Sequence, residues 1–319
     1  MTYLSICSTE SIKSAALSLR NGHLVAFPTE TVYGLGADAS NPEAIAQIYI
    51  AKGRPSDHPL IVHISSLAAM DHWTRDISEY AITLARDFWP GPLTLVLRRS
   101  TAAQDFITGG QETIGLRVPA HPIALALIEE FKALGGLGIA APSANRFGAV
   151  SPTTAEAVEE ELGEHLSEDD SILDGGASLV GVESTIVDCT GPTPMILRLG
   201  AITPLMIEES TGLVALEANP GAIRVSGSLN SHYSPKAKVI LDVIAVSGDG
   251  LIAPDQIPTP NGVIRLAAPS SNEEYARILY QALRSADRKG LDVVVVLQPG
   301  GDGLAAAIRD RLQRSAFNS

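Results

Sequence analysis

Residues 24–39 of the chain read LVAFPTETVYGLGADA, an apolar run that passes into a polar segment with two glycines. Residues 24–27 have the length and composition of a buried strand, and the proline that follows ends it because proline has no backbone N–H. Thr31 and its polar neighbours then offer hydrogen bonds, and Gly34 and Gly36 allow a close approach of backbone. Taken alone, the two glycines favour ordinary turn geometry over a ligand loop, and the chain has no GxxxxGK[ST] phosphate loop.

Similar short apolar segments recur along the N-terminal part and predict strands, because each is bounded by glycine, proline or polar residues. The predicted strands cover residues 24–27, 60–64, 93–97, 114–118 and 186–188. Helical spacing marks residues 42–50, 77–88 and about 153–166. Asn41 and Pro42 predict the start of the first helix, whereas the third has two competing starts, a Thr153/Glu156 capping box and Ser151 before a proline. The pattern predicts a mixed α/β fold.

A second, smaller α/β unit is predicted near the C-terminus. Residues 218–235 are rich in Gly, Ser, Pro and Asn without periodicity, which is typical of an interdomain linker. Beyond them, strands are predicted at residues 239–246, 262–266 and 293–297, and helices at residues 273–287 and 304–313. This alternation predicts a small parallel sheet with crossover helices. The loop SGDGL (247–251) lacks the glycine spacing of a dinucleotide site, so the domain is expected to be Rossmann-like in shape only.

Composition narrows the function classes. At 319 residues the chain is longer than one hydrophobic core usually supports, which favours two domains. The net charge is −13, and the part before Lys236 carries the excess, with 13 Lys and Arg against 27 Asp and Glu. Such an acidic chain is not expected to bind a phosphate backbone tightly and nonspecifically. Eight of those acids lie in residues 156–170, interpreted as a solvated helix face. Cys7 and Cys189 stand alone, and neither a signal peptide nor an apolar run of about 18 residues occurs, so a cytoplasmic protein is expected.

Basic residues at the ends of predicted elements suggest an anion site. Lys52 and Arg54 lie two residues apart in AKGRPSDHPLIVHI (51–64), so in an extended or turn segment both can face one anion. A phosphate chain is a natural candidate, since each charge-assisted hydrogen bond contributes about 1.5–3 kcal/mol. His58 and His63 are interpreted as hydrogen-bonding residues, because no Cys or acidic ligand stands at zinc spacing.

Further polar residues end other apolar segments. Arg117 in TIGLRVP (113–119) needs an anionic partner, either a substrate carboxylate or a structural Asp or Glu. In the segment GIAAPSANRFGAVSPT (138–153), an apolar run is followed by the small polar residues Ser143, Asn145 and Ser151. Such side chains suit a ligand crevice but also serve as helix caps. GVESTIVDCT and ILRLG bring Ser184 and Arg198 from neighbouring strand-like segments.

The chain lacks a nucleophile elbow, a Cys and His pair with an orienting group, and a metal-ligand set. What it supplies repeatedly is hydroxyls, glycines and separated cations at strand ends. This inventory suits a site for a nucleotide and a small amino-acid-like ligand, with catalysis by positioning and charge neutralisation.

Together and in this order, the clusters resemble the threonylcarbamoyl-AMP synthase family, which is built on the YrdC-like domain. Its KxR stands as Lys52 and Arg54 and its SxN as Ser143 and Asn145, with PTETVYGLG, PLIVHI, GLRVP and SPTTAE at compatible positions. HYSP (232–235) resembles the longer, two-domain subfamily. The resemblance implies a YrdC-like twisted mixed sheet with a concave ligand cavity in residues 1–210, a linker over residues 211–235 that closes over the active site, and a small Rossmann-like α/β domain in residues 236–319.

The resemblance also implies the reaction and the residues that carry it. A nucleotidyltransferase of this family forms threonylcarbamoyl-AMP and diphosphate from L-threonine, bicarbonate and ATP, for threonylcarbamoyladenosine in tRNA, with Mg²⁺ held by phosphate oxygens and water. The implied catalytic residues are Lys52 and Arg54. The implied threonine contacts are Thr31, His63, Arg117 (for the carboxylate), the backbone at Ala141, and Ser184. The implied ATP contacts are Lys52, Arg54, His58 (a position often occupied by Asn), Thr113, Ser143, Asn145, Ser151, Arg198 and Tyr233, with Tyr233 closing over the nucleotide.

Two other functions remain open at this point. An RNA-binding or ribosome-associated YrdC-like module is disfavoured by the acidic N-terminal part, although a local basic groove can persist in an acidic protein. A carbamoyl-phosphate-using transferase shares the fold, but the chain has no acylphosphatase or zinc-finger segment. The expected partner is a downstream tRNA threonylcarbamoyltransferase, with neither tight nucleic-acid binding nor membrane association.

Overall fold

The computed structural model describes residues 4–217, 223–227 and 233–317. Within these ranges the main sheet has eleven strands, which in chain order are β1 (Leu4–Ile6), β2 (Val25–Phe27), β3 (Gly34–Asp38), β4 (Ile61–His63), β5 (Leu93–Arg98), β6 (Thr113–Arg117), β7 (Ile139–Ala140), β8 (Ser171–Asp174), β9 (Thr185–Asp188), β10 (Met195–Arg198) and β11 (Leu216–Glu217). Their spatial order is β1-β8-β2-β3-β7-β4-β6-β5-β9-β10-β11. Because β4 runs parallel to β6 but antiparallel to β7, the sheet is mixed, and the expected mixed α/β architecture is confirmed.

Helices cover the main sheet and bury its apolar side chains. They are α1 (Thr9–Arg20), α2 (Pro42–Lys52), α3 (Met70–Trp73), α4 (Glu79–Phe88), α5 (Asp105–Thr108), α6 (Pro122–Ala133), α7 (Ala155–Leu162) and α8 (Pro204–Thr211), with 3₁₀ turns at Leu67–Ala69 and Gly163–His165. The predicted start of α2 is confirmed, because Asn41 Oδ1 accepts the Ala44 N–H at 3.1 Å and Pro42 is the first helical residue.

The C-terminal part forms its own parallel sheet. Its strands are β12 (Lys238–Leu241), β13 (Gly250–Ile252), β14 (Ile264–Ala267) and β15 (Val293–Val296), in the spatial order β12-β15-β13-β14. The helix α9 (Asn272–Arg288) crosses from β14 to β15, and α10 (Leu304–Ala316) follows β15. The buried residues of α9 recur every three or four positions, from Tyr275 and Leu279 to Leu283 and Ala286, as expected for a helix with one face on a sheet. The predicted small Rossmann-like sheet is therefore confirmed.

Several element predictions need correction. Gly34 and Gly36 belong to β3 rather than to a turn, because their missing side chains let β3 lie against Phe27. The loop SGDGL contains the start of β13, which pairs with both β14 and β15. The strand predicted over residues 239–246 ends at Leu241, because Asp242 adopts a left-handed φ of 54° that turns the chain away.

The predicted start of α7 is also wrong. Neither Thr153 nor Ser151 caps it; Thr154 does, with its hydroxyl accepting the Ala157 N–H at 3.2 Å. The helix ends at Leu162, where a 3₁₀ turn begins.

A shared apolar cluster joins the two parts of the chain. Val32, Val150 and Val182 from the N-terminal part pack with Tyr233 and with the buried face of α9. Residues 216–217, inside the predicted linker, extend the main sheet as β11, beside β10. Other linker residues, 218–222 and 228–232 with His232 among them, lie outside the described residues, and the predicted domain boundaries stay a prediction. Among the described helices, none is long and apolar enough to span a membrane.

Candidate active site

A cavity with about 730 Å³ of empty space, part of it open to solvent, lies where the ends of several strands of the main sheet meet α2, Ser226, Gly227 and Tyr233. Most of the residues implied by the family resemblance line this one cavity: Thr31, Lys52, Arg54, His58, His63, Arg117, Ala141, Ser143, Asn145, Ser184, Arg198 and Tyr233. Side chains up to about two hundred positions apart in sequence are thus brought together by the sheet order.

Lys52 and Arg54 reach the cavity from the C-terminal end of α2. Lys52 is the last helical residue, and Gly53 takes a left-handed φ of 61°, so the chain reverses before Arg54. The side-chain nitrogen of Lys52 donates to the carbonyl oxygens of Ser143, at 2.6 Å, and Asn145. The KxR and SxN motifs are therefore in direct contact.

Burial alters the charge behaviour of both cations. Burial and the nearby Arg54 charge hold the pKa of Lys52 well below its usual value. Burial lowers the pKa of Arg54 to about 10, although the guanidinium stays charged at neutral pH. Arg54 Nη2 donates to the Pro59 carbonyl at 3.0 Å and to Ser226 Oγ at 3.1 Å. An anionic ligand here would meet the desolvated Arg54 cation and would favour the charged form of Lys52.

His63 and Arg117 are neighbours because β4 and β6 pair in parallel with these two residues in register. Burial and the Arg117 charge lower the pKa of His63 to about 3, so its imidazole is neutral near pH 7. Arg117 Nε donates to the Gly91 carbonyl at 3.2 Å, and Nη2 pairs with Glu30 at 2.5 Å. The sequence left two anionic partners open for Arg117, a substrate carboxylate or a structural Asp or Glu. The structure contains the second kind, Glu30.

Ser184 and Arg198 meet across the antiparallel pair β9 and β10. Arg198 Nε and Nη2 donate to the carbonyl and hydroxyl oxygens of Ser184, each at 3.1 Å. Arg198 Nη1 donates to the Ser226 carbonyl at 2.8 Å, and Ser184 Oγ lies 2.8 Å from Thr94 Oγ1. Arg198 thus joins the sheet to the segment that follows it.

Glu183 is a cavity residue that the sequence motifs do not single out. Its carboxylate accepts from Ser151 Oγ at 2.6 Å, from Tyr280 Oη at 2.9 Å and from Arg311 Nε at 2.8 Å. Burial opposes its ionisation, but Arg311 and Arg198 hold its pKa at about 2. An acidic residue inside the apolar run LVGVES is the signal that could have revealed it, since such a residue needs a buried partner.

Tyr233 is fully buried at the cavity wall, with a left-handed φ of 63°. Its ring stacks on Tyr280 with centroids 5.6 Å apart, and its carbonyl accepts from Ser315 Oγ at 2.8 Å. Gly227 faces its hydroxyl so closely that a Cβ there would lie 2.4 Å from that oxygen. Ser226 and Gly227 also line the cavity.

Two implied ATP contacts do not line the cavity. Thr113 lies in a neighbouring open groove that shares Ile61 and Ser226 with the cavity. Ser151 is buried behind Glu183, to which its hydroxyl donates. Their roles in ATP binding stay predictions.

Three cavity residues keep buried polar atoms without a partner among the described residues, namely Arg54 Nε, His63 Nδ1 and Asn145 Oδ1. Buried polar atoms are nearly always hydrogen-bonded in folded proteins, so these atoms are available to bind a ligand or water in the cavity. His58 contributes an edge-to-face contact with Phe147, at 5.3 Å between ring centroids. In the part of the chain that the structure describes, no three His, Cys, Asp or Glu side chains group as metal ligands.

Comparison with known proteins gives matches along nearly the whole chain. A family model described as "Telomere recombination", covering Sua5, YciO and YrdC, matches residues 18–200, and one described as "Threonylcarbamoyl-AMP synthase, C-terminal domain" matches residues 202–317. Threonylcarbamoyl-AMP synthase of Pyrococcus abyssi is 40% identical, covering 96% of this chain and 94% of its own. The Bacillus subtilis enzyme of the same name is 38% identical, covering 96% and 92%.

Comparison with solved structures gives matches to proteins of the same fold. The crystal structure of P. abyssi Sua5 complexed with L-threonine matches with a TM-score of 0.89 and 36% identity, over 99% of this chain and 97% of that one. Escherichia coli YciO matches with a TM-score of 0.54 at 22% identity over 63% of this chain and 98% of that one, which shows a common fold.

Proposed function

Because this chain belongs to the threonylcarbamoyl-AMP synthase family, we propose that its reaction takes place in the cavity lined by Lys52, Arg54, Arg117 and Arg198. The chain is a nucleotidyltransferase that forms threonylcarbamoyl-AMP and diphosphate from L-threonine, bicarbonate and ATP, for threonylcarbamoyladenosine modification of tRNA. The observation that carries the assignment of the site is the convergence of four basic side chains on one cavity. Such an arrangement neutralises a triphosphate and an amino-acid carboxylate together.

The threonine end of the cavity is assigned to Thr31, His63, Arg117, Ala141 and Ser184. Arg117 keeps N–H donors beyond those used by Gly91 and Glu30, and they suit the carboxylate of threonine. Neutral His63 does not repel the amino group, and its Nδ1 can accept a hydrogen bond from the ligand. The P. abyssi relative was solved in complex with L-threonine, which supports threonine as a ligand of this chain.

The nucleotide end is assigned to the cations and amides around the KxR and SxN motifs. Lys52, Arg54 and Arg198 face the phosphates, with Ser143, Asn145, His58 and Tyr233 around them, and Thr113 and Ser151 at a further remove. The threonine amine first takes up bicarbonate as a carbamate, with loss of water. A carbamate oxygen then attacks the α-phosphorus of ATP while the bond to the bridging oxygen breaks and diphosphate leaves. Lys52 and Arg54 neutralise the charge that develops on the phosphate oxygens.

Mg²⁺ enters with the nucleotide in this proposal. Glu183 is the carboxylate among the described lining residues, and its oxygens are occupied by Ser151, Tyr280 and Arg311. The protein therefore offers no ready set of acidic ligands among its described residues, and phosphate oxygens and water would hold the ion.

We further expect the chain to act in the cytoplasm and to deliver its product to a tRNA threonylcarbamoyltransferase. Cys7 and Cys189 are free thiols, which suits a reducing compartment. The net charge of −13 disfavours tight direct binding of the tRNA, so a partner protein is expected to handle it. The non-catalytic RNA-binding alternative is not favoured.

Diphosphate release from ATP tests the proposed site. We expect release to require both threonine and bicarbonate in the wild type. Lys52→Ala and Arg54→Ala should lower turnover by at least about a hundredfold, because each removes a charge from the reacting phosphate. The matched control is Lys132→Ala, which changes an exposed lysine paired with Glu129 and should leave turnover unchanged.

Circular dichroism should show that all variants are folded. Release that is independent of threonine and bicarbonate would contradict the function. Normal turnover in folded Lys52→Ala and Arg54→Ala proteins would contradict the site.

A further inference from the structure

Arg311 of α10 is a completely buried arginine in the C-terminal domain, far in sequence from every motif of the active site. A buried guanidinium must have its donors satisfied, and the partners of Arg311 belong largely to the N-terminal part. Nε donates to Glu183 Oε2 and Nη2 to the Leu199 carbonyl, each at 2.8 Å. Nη1 pairs with the adjacent Asp310.

Two residues of the cavity wall contact this one side chain. Glu183 lines the cavity and forms an ion pair with Arg311. Tyr233 lines it as well, and Arg311 Cζ lies 5.4 Å from the centre of its ring, within the range of a cation–π interaction. Tyr280 completes the arrangement, because it both stacks on Tyr233 and donates to Glu183.

The electrostatics explain why the contact matters for function. Glu183 places a carboxylate in the wall of a site that has to accept a triphosphate, and without a counter-ion it would repel the nucleotide. Arg311 supplies that counter-ion from behind the wall. Buried ion pairs contribute little to stability compared with apolar replacements, so packing alone does not account for the pair.

We propose that Arg311 is a positioning residue for ATP: it neutralises Glu183 and seats the ring of Tyr233, so the C-terminal domain completes the nucleotide end of the site. The proposal rests on the proposed function. In the proposed complex Arg311 acts on ATP only through Glu183 and Tyr233. Its partners among the described residues do not include those assigned to the threonine end. Its loss therefore affects ATP more than threonine.

Steady-state diphosphate release by the full-length chain tests the proposal through the two KM values. Arg311→Met should raise the KM for ATP at least about tenfold and leave the KM for threonine within about twofold, because only the nucleotide end is changed. The double variant Glu183→Gln/Arg311→Met should have a KM for ATP at least about threefold lower than that of Arg311→Met, because the negative charge at position 183 is gone.

Arg284→Met is the matched control. Arg284 is also a buried arginine of the C-terminal domain paired with a glutamate of the N-terminal part, Glu161, at 3.0 Å. Unlike Glu183, this glutamate does not line the cavity. Arg284→Met should lower thermal stability and leave both KM values unchanged.

Several outcomes would overturn the proposal: an unchanged KM for ATP, an equal rise of both KM values, the same rise in Arg284→Met, or no recovery in the double variant. Should Arg311→Met fail to fold, the double variant is compared with Glu183→Gln alone. A KM for ATP about threefold higher in the double variant than in Glu183→Gln supports a role of Arg311 in holding the Tyr233 ring. Equal KM values in the two variants overturn that role. Failure of the wild type to require threonine and bicarbonate would instead refute the proposed function.

Discussion

Arg117 illustrates at the residue scale how a side chain fixed by one anion keeps donors for a second. Its pairing with the buried Glu30 fixes the guanidinium at the cavity wall, and Glu30 is fixed in turn by the Ala120 N–H at 2.9 Å. Burial opposes ionisation of Glu30, but Arg117 lowers its pKa, so the pair stays charged. The remaining donors of Arg117 are left for a second carboxylate. Replacing Arg117 by alanine would therefore disturb both the fold and the ligand, because it leaves Glu30 buried without a partner.

Arg117→Lys separates these two effects. Lysine keeps a charge for Glu30 but lacks the planar fork that binds a carboxylate through two N–H groups. We expect the KM for threonine to rise about tenfold, which corresponds to the loss of one charge-assisted hydrogen bond of about 1.5 kcal/mol. The KM for ATP should change less than about twofold. Kinetics of diphosphate release measure both, with the exposed Arg75→Lys as the control. A parallel rise of the two KM values would argue against a threonine-specific role.

The sequence predicts which residues face the cavity better than it predicts their partners. Ser143, Asn145 and Ser184 follow short apolar runs, and side chains at strand ends meet at the edge of a sheet, so their motifs reveal them. The partners lie far away in the chain: Glu30 is 87 residues from Arg117, and Glu183 is 128 residues from Arg311. Local patterns carry no information about such pairs, because they depend on the spatial order of the strands.

At the scale of elements, β3 depends on its glycines for close packing. An ideal Cβ at Gly36 would lie 2.8 Å from Phe27 Cε1 and 2.8 Å from Ile139 Cγ2, and both side chains are fully buried. Phe27 in turn makes an edge-to-face contact with His63, at 6.0 Å between ring centroids. The packing of β3 is thereby connected to the threonine end of the site.

Gly36→Ala should destabilise the protein by about 1–3 kcal/mol, because the added methyl group overpacks a core without room for it. Gly115→Ala in β6 is the matched control: its Cβ would meet Ile61 Cγ1 at 3.4 Å and Thr94 Cγ2 at 3.5 Å, which are ordinary contacts. Urea unfolding measures both free energies. Equal stability of the two variants would show that the contacts of Gly36 can relax.

Elements with strong periodicity are predictable from the sequence, and short ones are not. The pattern of α9 identifies it because a helix on a sheet buries every third or fourth side chain. The strand β13 escapes prediction because it has three residues and begins with Gly250, which local propensity assigns to a loop. Its place is set by hydrogen bonds on both sides, to β14 and β15, and such non-local pairing cannot be read from a three-residue pattern.

At the scale of the whole molecule, buried charges join the two parts of the chain. Arg311 and Tyr280 come from α10 and α9, and Glu183 from the segment before β9. The apolar cluster around Tyr233 spans the same junction. The C-terminal domain is therefore packed against the wall of the cavity, and changes to Arg311 or Glu183 should affect stability and nucleotide binding together.

Acid should weaken this junction in a defined pH range. The folded-state pKa of Glu183 is about 2, below the value of about 4.3 for an unfolded glutamate. A lowered pKa means that the stability from its charge is complete above about pH 5 and is lost as the pH falls through 4 towards 2; two pH units correspond to about 3 kcal/mol. Glu183→Gln lacks this contribution and leaves Asp310 as the carboxylate partner of Arg311, so it is less stable at pH 7. Because the other carboxylates titrate in both proteins, the difference in their urea unfolding free energies should narrow as the pH falls from 7 to 3. A constant difference would mean that Glu183 keeps no lowered pKa, and that its pairing with Arg311 does not stabilise the folded protein through charge.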